Sequence, residues 1–282
     1  MNIKAENTAN NNANTKEQSI LSKFLTSLLS LFMLPIYGKL FILIILASAW
    51  QCIAWLVNSA DFPSLLIVME SFTYHLVQGD MLMNISVTLR RVIISFIIAM
   101  ILGVFIGILM GTSKRLNQLT DSLLIIVLNI PALVTILLCY IWFGLVESAA
   151  ITAVVINKIP TVVVMIREGA RVVDNDLLNV AKVYKLSKSK TFFNVFLPQL
   201  YPYIMASARA GLSLIWKIVL VVELLGRSDG VGFALNTLFQ FFDIAGILAY
   251  TFAFISIVLV IENLIFRPLD KLIARGINHD SA

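Results

Sequence analysis

Charged side chains are scarce in this chain of 282 residues. Asp, Glu, Lys and Arg together make up 13% of it, whereas soluble domains carry about 25%. Apolar residues make up 59%, and the mean hydropathy is +0.92. Because so few polar side chains cannot cover a soluble body of this size, the composition excludes that class and predicts a membrane protein.

Cysteine and histidine, which often bind metals or act in catalysis, are scarce as well. The two cysteines, Cys52 and Cys139, lie inside apolar runs, where small packing residues are expected rather than a disulfide. The two histidines, His75 and His279, have no ligand-type side chains near them in sequence. The sequence therefore predicts no metal site, no catalytic site and no cofactor bound by this chain.

The sequence also lacks a nucleotide-binding loop. Three glycines, Gly226, Gly230 and Gly232, invite comparison with a phosphate-cradling loop, but no strand precedes them and no Gly-Lys-Ser or Gly-Lys-Thr follows. We expect a turn or a re-entrant connection at this position. Any use of ATP must therefore come from another chain.

Six apolar windows are long enough to cross a membrane, which takes about 20 residues of helix. They fall at roughly 40–57, 85–110, 122–142, 148–166, 203–224 and 245–266. Lipid offers no partners to backbone polar groups, so these windows should be helices, and they lack the alternation of barrel strands. The sequence predicts an all-α membrane protein with about six transmembrane helices within residues 38–272.

The two ends of the chain differ from this domain. Residues 1–19 are polar and Asn-rich, have no apolar core of the signal-peptide kind, and are predicted to form a disordered cytoplasmic tail. Residues 20–37 carry an apolar stripe at helical spacing, which predicts an amphipathic helix in the membrane interface, with a seventh span as the alternative. Residues 273–282 are predicted to form a second cytoplasmic tail.

Basic residues outnumber acidic ones, with 21 Lys and Arg against 16 Asp and Glu. If both termini are cytoplasmic, most of these basic residues fall in the inner segments. The outer segments then hold chiefly Arg227, with Arg90 and Arg91 at the outer start of the second window. This is the positive-inside distribution. It predicts a multi-pass protein with both termini in the cytoplasm, and it explains the basic excess without a nucleic-acid partner.

The fifth window contains a charged residue near its middle. Insertion of a lysine such as Lys217 at that depth costs about 2.5 to 3.5 kcal/mol. Lys217 either faces a water-filled pathway, where it would attract an anionic solute, or pairs with an acidic group on a neighbour. Trp216 and Glu223 are further pathway candidates. Glu223 lies near the end of the window, where a solvated or interfacial position is expected.

The second window contains glycines at four-residue spacing, Gly103, Gly107 and Gly111. Small residues on one helix face allow two spans to approach closely. Chance occurrence in a membrane helix that tolerates glycine explains the pattern equally well.

A polar, lysine-rich segment at residues 174–197 separates the fourth and fifth windows. It reads as two short amphipathic helices, and such helices can dock in the groove of a partner protein. The first has apolar positions Leu177, Leu178, Val180, Ala181 and Tyr184, and the second has Phe192, Phe193, Val195, Phe196 and Leu197. A purely structural linker is the alternative, although two such helices carry more apolar surface than a linker needs.

Short motifs in four regions, in the right order, resemble the nitrate, sulfonate and taurine group of binding-protein-dependent ABC importer permeases over about residues 85–272. The first two are Thr88-Leu89-Arg90-Arg91 and the stretch from Trp142 to Ala149. The third is the pattern in the lysine-rich segment, Ala181, Ser187, Phe192, Val195, Leu197, Pro198 and Pro202. The fourth is Gly211, Trp216, Glu223, Gly226, Gly230 and Gly232.

The chain departs from that group within the lysine-rich segment. Asn179-Val180-Ala181 stands where the group commonly has Glu-Ala-Ala, and Asp176, one turn earlier on the same face, is a candidate to replace the missing glutamate. Lys185-Leu186 stands where the group commonly has Leu-Gly-Ala, and the loss of that glycine is less damaging if the linker avoids positive φ. Ser187 is expected to cap the second short helix.

The resemblance implies a type I ABC importer permease in the bacterial inner membrane that moves a small anionic solute into the cytoplasm. It implies a dimer with a second, identical permease copy, two ABC ATPase subunits that use ATP and Mg, and a periplasmic or lipid-anchored solute-binding protein. The coupling residues would be Asp176, Asn179, Val180, Ala181, Tyr184, Lys185, Leu186, Ser187, Phe192, Leu197 and Pro198.

Two other classes of membrane protein compete with this interpretation. A stand-alone, ion-coupled secondary transporter or channel would commonly show inverted repeats, and we find none in the sequence. A membrane-embedded enzyme would need a cluster of His, Asp, Glu or Cys at one depth, which is also missing from the sequence.

Overall fold

The computed structural model describes residues 35–59, 61–266 and 268. The residues described are helical, joined by turns and short connections. The predicted tails 1–19 and 273–282, and residues 20–34 of the predicted interfacial helix, lie outside them. The chain divides into two compact units, Met1–Ile67 and Val68–Ala282, which we describe separately.

The first unit contains helix α1 (Pro35–Val57) and the start of helix α2 (Leu65–Val77). Pro35 opens α1, a position that suits proline because the first N–H of a helix has no intrahelical acceptor. The Trp50 indole N–H donates to the Pro63 carbonyl (3.0 Å), and its ring stacks on Phe62. Helix α2 was not predicted, because it is too short to register among windows of about 20 residues.

The second unit contains the remaining helices. They are α3 (Met81–Thr112), α4 (Lys114–Asn129), α5 (Ala132–Phe143), α6 (Glu147–Arg171), α7 (Asn175–Val183), α8 (Lys188–Thr191), α9 (Leu197–Gly226), α10 (Val231–Gln240) and α11 (Ile244–Ile261). Two π-helical turns, Phe192–Phe196 and Glu262–Phe266, precede α9 and follow α11.

Three helical stretches in the described residues are long and apolar enough to cross a membrane: α3, α6 and Ile244–Leu264. The pair α4 and α5 makes a fourth if it counts as one span, but the two helices meet at an angle of 93°. The predicted helical window 122–142 is therefore divided between two helices. Pro131 explains the break, because proline disfavours helical geometry in the preceding residue, and Ile130 is extended.

The first and fifth predicted windows also fall on helices, α1 and α9. Neither is among the stretches that meet the criteria for a span. On α1, the apolar part of the helix is the shorter stretch Phe41–Val57. On α9, Arg209, Lys217 and Glu223 interrupt the apolar sequence.

Helices α3 and α6 pack closely along the glycine face of α3. A Cβ atom added to Gly103 would lie 2.6 Å from Val162, one on Gly107 2.7 Å from Ile166, and one on Gly111 2.5 Å from Ala170. The three glycines thus lie where α3 approaches α6 most closely, as the predicted helix-packing role requires. Each step of four residues on α3 matches a step of four on α6, so the two helices run in the same direction in a single register.

Helix α9 packs against both α6 and α3 in an apolar core. Ile215, Trp216, Val219 and Val222 of α9 are buried there with residues of α3, α5 and α6. The Tyr140 hydroxyl of α5 donates to the Val222 carbonyl (2.8 Å). Three long helices thus share one core.

Candidate functional site

The lysine-rich segment begins with a capped helix. The Asp174 carboxylate accepts a hydrogen bond from the Asp176 N–H (2.7 Å), as an N-cap residue does at the start of α7. The Asp174 N–H donates to the Gln199 side chain (2.8 Å), which ties the start of the segment to α9. An aspartate just before an apolar periodic stretch is a sequence signal for such a start.

Helix α7 ends in a Schellman turn around Lys185. The Leu186 N–H donates to the Ala181 carbonyl and the Lys185 N–H to the Lys182 carbonyl, both at 3.0 Å. This turn places Lys185 at φ +52°, in the left-handed region that favours glycine. The condition under which the loss of the turn glycine would be less damaging, a linker without positive φ, is therefore not met, and Lys185 adopts the conformation that glycine usually supplies.

The second short helix does not stand apart from the membrane domain. Ser187 caps α8 by accepting from the Lys190 N–H (3.3 Å), which confirms its predicted role. The chain then continues without a break through the π-helical turn into α9, with the Leu197 N–H donating to the Phe192 carbonyl. Pro198 has no N–H to donate to the carbonyl four residues earlier, which favours a wider turn at this point.

One side of the segment packs inward. Phe196 and Leu200 are buried with Ile166 and Ala170 of α6, and Phe192 is half-buried beside Phe196. Ala181 is only 2% exposed. Ala181, at the centre of the predicted coupling residues, therefore lies inside the fold of the segment and not on its outer surface.

The other side of the segment forms an exposed apolar surface, which we call the docking face. Its residues are Leu177, Val180, Val183, Tyr184, Leu186 and Phe193. Val183 and Tyr184 are 79% and 77% exposed. Asp176 and Asn179 are exposed on the same helix, so the substitution of Asp176 for the missing glutamate remains a prediction.

A cavity of about 610 Å³ lies beside this segment. Its walls come from the end of α3, the start of α4, the end of α6 and the start of α7. Polar lining residues include Lys114, Asn117 and Arg171. Nearby, Arg167 forms an ion pair with Asp121, which joins α6 to α4.

The opposite end of the α3, α6 and α9 core holds a buried ion cluster around Arg91. The Arg91 residue is 1% exposed, and its guanidinium contacts Glu147 (2.8 Å), Glu223 (2.8 Å) and Asp229 (2.5 Å). Glu223 is 0% exposed, so the expectation of a solvated or interfacial position for it was wrong. Burial is tolerated because a guanidinium offers five donors and here meets three carboxylates.

Backbone and hydroxyl groups complete the coordination of Glu223. The Gly232 N–H donates to its carboxylate (2.9 Å), as does the Thr88 hydroxyl (2.9 Å), which itself accepts from the Val231 N–H (2.8 Å). Gly230 has φ +100°, and a Cβ atom on it would collide with the Glu223 carboxylate. Gly230 therefore ends a turn that approaches Glu223, and Gly232 lies in the first turn of α10 beside it. The predicted turn at this position is confirmed.

The three pathway candidates lie in three different environments. Trp216 is 4% exposed in the apolar core and meets Phe254 edge to face. Glu223 belongs to the ion cluster. Lys217 is exposed on α9. The prediction of a pathway role for Lys217 is neither confirmed nor contradicted by this position, whereas Trp216 packs as a core residue.

One buried charge was missed by sequence reasoning. Lys158, in the middle of α6, is 1% exposed. It lies in the fourth apolar window, so the same argument that singled out Lys217 applies to it. Farther along α9, Arg209 forms an ion pair with Glu262 (3.3 Å).

Comparison with known proteins gives relatives along most of the second unit. Residues 99–279, well over half of the chain, match the family described as the inner membrane component of binding-protein-dependent transport systems. The putative aliphatic sulfonates transport permease of Escherichia coli (strain K12) is 31% identical over 191 residues, 67% of this chain and 72% of that protein. The nitrate import permease of Synechocystis is 30% identical over 186 residues, 62% of this chain and 67% of that protein.

A solved structure shows the same fold. A crystal structure of an amino acid ABC transporter with histidines contains a chain that matches with a TM-score of 0.54 at 21% sequence identity. The match covers 65% of this chain and 90% of that one. The likeness in fold extends over nearly the whole of the solved chain.

Proposed function

The chain belongs to the family of inner membrane components of binding-protein-dependent transport systems, and on that premise we propose that it is the permease subunit of an ATP-driven importer for a small anion. Permeases of this family are integral inner-membrane proteins with the type I fold. They are not enzymes themselves, since ATP hydrolysis takes place in partner subunits. The proposal concerns the direction of transport, its coupling to ATP and the solute.

The docking face carries the coupling part of the proposal. It exposes apolar side chains on a polar segment where no lipid tails are expected, and exposed apolar patches on such segments mark sites of protein contact. Because permeases of this family work with ATPase subunits, an ATPase subunit is the protein that we expect to bind the docking face. Ala181 and Phe196 support this surface from beneath, so a force on the docking face reaches α6 and α9 through packed side chains.

The anionic solute is inferred from the relatives and from charge. The relatives named above transport nitrate and aliphatic sulfonates, and a third, of Synechococcus elongatus, is a bicarbonate transport permease. All three solutes are anions. The exposed ammonium of Lys217 on α9 could attract such a solute if this face of α9 lines the pathway.

The complete transporter would contain two copies of this chain, two ATPase subunits that bind ATP and Mg, and a solute-binding protein on the periplasmic side. Both termini would be cytoplasmic. Closure of the ATPases would displace residues 174–197, tilt the attached helices and switch the cavity between the two permeases from one side of the membrane to the other. No bond in the solute is broken.

A charge on the docking face tests this assignment. Tyr184→Asp should abolish co-purification of the ATPase and ATP-driven uptake, because a carboxylate would be buried in an apolar contact. Ser189→Asp is the matched control, since it adds the same charge at an exposed polar position of α8. Normal uptake by Tyr184→Asp, or uptake driven by an ion gradient with this chain alone, would contradict the proposal. The latter result would identify a secondary transporter.

A further inference from the structure

The cavity of about 610 Å³ beside the lysine-rich segment takes no part in the function proposed so far. Helices α3 and α6, two of the stretches that can cross a membrane, end there at Thr112 and Arg171. Both of these residues line the cavity. It therefore lies at a boundary between hydrocarbon and water, and we call it the boundary cavity.

The charged side chains that line the boundary cavity are both basic. They are Lys114, at the start of α4, and Arg171, and none of the described lining residues is acidic. Among the described residues, none forms an ion pair or a hydrogen bond with the Lys114 ammonium. The Arg171 guanidinium uses one nitrogen, Nη1, for the exposed carboxylate of Glu168 (2.9 Å), which leaves Nε and Nη2 as donors. The cavity is therefore complementary to an anion.

The start of helix α4 adds to the positive potential of the boundary cavity. The helix has 16 residues, its neutral N-cap is Ser113, and its first residue, Lys114, lines the cavity. The N–H groups at a helix start together carry about half a positive elementary charge. Three further lining residues have side-chain amides, which add neutral donors. These are Asn117, Gln118 and Asn175.

The size and the apolar part of the boundary cavity indicate an organic anion. Sites of about 300 to 1,000 Å³ hold organic ligands. A water molecule fills about 30 Å³, so a bare inorganic oxyanion, only a few times larger, would leave most of the cavity empty. The apolar lining residues include Met110, Val173, Leu178 and Phe196. The cavity therefore suits an anion that carries an apolar part.

An apolar groove of about 370 Å³ lies next to the boundary cavity, between α3, α4 and α6. Met110 lines both spaces. On α6, Val163 lines the groove and Ala170 lines the cavity, and these two residues lie two turns and about 10 Å apart on one helix face. The hydrocarbon of one leaflet is about 15 Å thick. An acyl chain that starts in the cavity is therefore long enough to lie along the groove.

We propose that the boundary cavity binds the phosphate head group of an anionic phospholipid and that the groove takes one of its acyl chains. Basic pockets between spanning helices on the cytoplasmic side bind such head groups. The assignment to the cytoplasmic leaflet rests on the proposed function, whereas the binding itself does not. A soluble organic phosphate shares the chemistry of the head group but has no part that would fill the groove.

The bound lipid would support the lysine-rich segment on the side opposite the docking face. Asn175 and Leu178, which line the cavity, lie on one face of α7, and Val180 and Tyr184 of the docking face lie on the other. The lipid would therefore join α7 and Phe196 to the ends of α3 and α6. Loss of the lipid should loosen the docking face without changing any of its residues.

Lipid-dependent stability tests the site directly. The full-length chain in mild detergent is heated with increasing dioctanoyl phosphatidylglycerol. Dioctanoyl phosphatidylcholine, which has the same chains but no net charge, is the control lipid, and glycerol 3-phosphate is the soluble probe. A ligand that binds only the folded protein raises the unfolding temperature in a saturable manner, and phosphatidylglycerol should do so at the lowest concentration. Lys114→Gln should raise its half-saturating concentration about fivefold, the share of one basic residue in binding an anionic lipid.

A neighbouring arginine provides the matched control. Arg115 is the next residue of α4 and is exposed, but it does not line the cavity, so Arg115→Gln should leave the response unchanged. Arg171→Gln should cause a loss similar to that of Lys114→Gln, and it tests the site if the latter variant folds poorly. No saturable response in the wild type, equal responses to the two lipids, or an equal loss in Arg115→Gln would overturn the inference. Saturation by glycerol 3-phosphate at the concentration that phosphatidylglycerol needs would reject the lipid as the ligand.

Uptake by the assembled transporter separates this inference from the proposed function. ATP-driven anion uptake by a transporter whose permease shows no response to phosphatidylglycerol would reject the lipid site and leave the importer assignment standing. A response that depends on Lys114, with no ATP-driven uptake by the complete assembly in vesicles that contain phosphatidylglycerol, would support the site and reject the importer.

Discussion

The buried carboxylate of Glu223 offers a quantitative test of the ion cluster. Its side chain is 0% exposed and lies 2.8 Å from the Arg91 guanidinium, whose side chain is 2% exposed. The change Glu223→Gln keeps the shape and the oxygen that accepts from the Gly232 N–H, but removes the negative charge. Breaking a buried ion pair by altering one partner typically costs about 3 to 5 kcal/mol.

The remaining contacts set the expected loss within that range. Arg91 keeps Glu147 at 2.8 Å and Asp229 at 2.5 Å, and these side chains are 31% and 33% exposed. Because part of the compensation survives, we expect Glu223→Gln to lower the free energy of unfolding by about 3 kcal/mol, the lower end of the range.

An exposed carboxylate provides the matched control. Glu168 lies 2.9 Å from Arg171 and 3.0 Å from Arg167, so its distances are like those of Glu223, but its side chain is 49% exposed. Exposed pairs contribute about 0 to 1 kcal/mol, so Glu168→Gln should lower the stability by less than about 1 kcal/mol. Equilibrium unfolding in mixed micelles, followed by circular dichroism, measures both variants. Equal losses in the two would refute the reasoning that burial sets the strength of the cluster.

Other parts of the structure give shorter tests. Lys185→Gly should stabilise the segment by about 1 kcal/mol, because glycine adopts positive φ without a Cβ clash. Proteolysis of the segment should then be slower than in the wild type, and faster proteolysis would contradict the prediction. Gly107→Leu should destabilise the fold by about 1 to 3 kcal/mol or more in micelle unfolding, since even a Cβ atom lies 2.7 Å from Ile166; wild-type stability would show that the two helices can separate freely. In a cysteine-free background, cysteines at Ser189 and Ser228 should react with an impermeant reagent from opposite sides of the membrane, and labelling of both from outside would reject the proposed orientation. Lys217→Met should raise the solute concentration for half-maximal uptake while assembly and basal ATP hydrolysis stay near normal, whereas unchanged uptake would remove Lys217 from the pathway.

The sequence predicted the helical class and the position of the helices well, because apolar runs in a chain so poor in charge have few alternatives to helix. It also predicted features that depend on nearby residues, such as the cap at Ser187. Pro131 was visible in the third window, but hydropathy alone does not report a bend. The 93° angle between α4 and α5 depends on the backbone geometry at this position, and the mean hydropathy of an apolar window does not report that geometry.

Features that depend on distant residues could not be predicted in this way. The burial of Glu223 is explained by its partner Arg91, which lies on another helix, far from Glu223 along the chain. The burial of Lys158 depends on the register of α3 and α9 against α6, which no local pattern encodes. The left-handed conformation of Lys185 was hidden for a different reason, because lysine is not a residue that signals positive φ.

The ion cluster fixes where α9 can turn. The outer end of this helix is held to α3 by the pair of Glu223 with Arg91, and Arg91 also pairs with Glu147 of α6. The inner end of the helix continues into the segment that bears the docking face. A tilt of α9 against its neighbours must therefore pivot near Glu223. The helix runs about 39 Å from Glu223 to its inner end at Leu197, so a tilt of about 5° would move the inner end by about 3 Å. Gly211, which lies about 18 Å from Glu223 along the helix, would move by less than about 2 Å, so the displacement grows steadily toward the docking face.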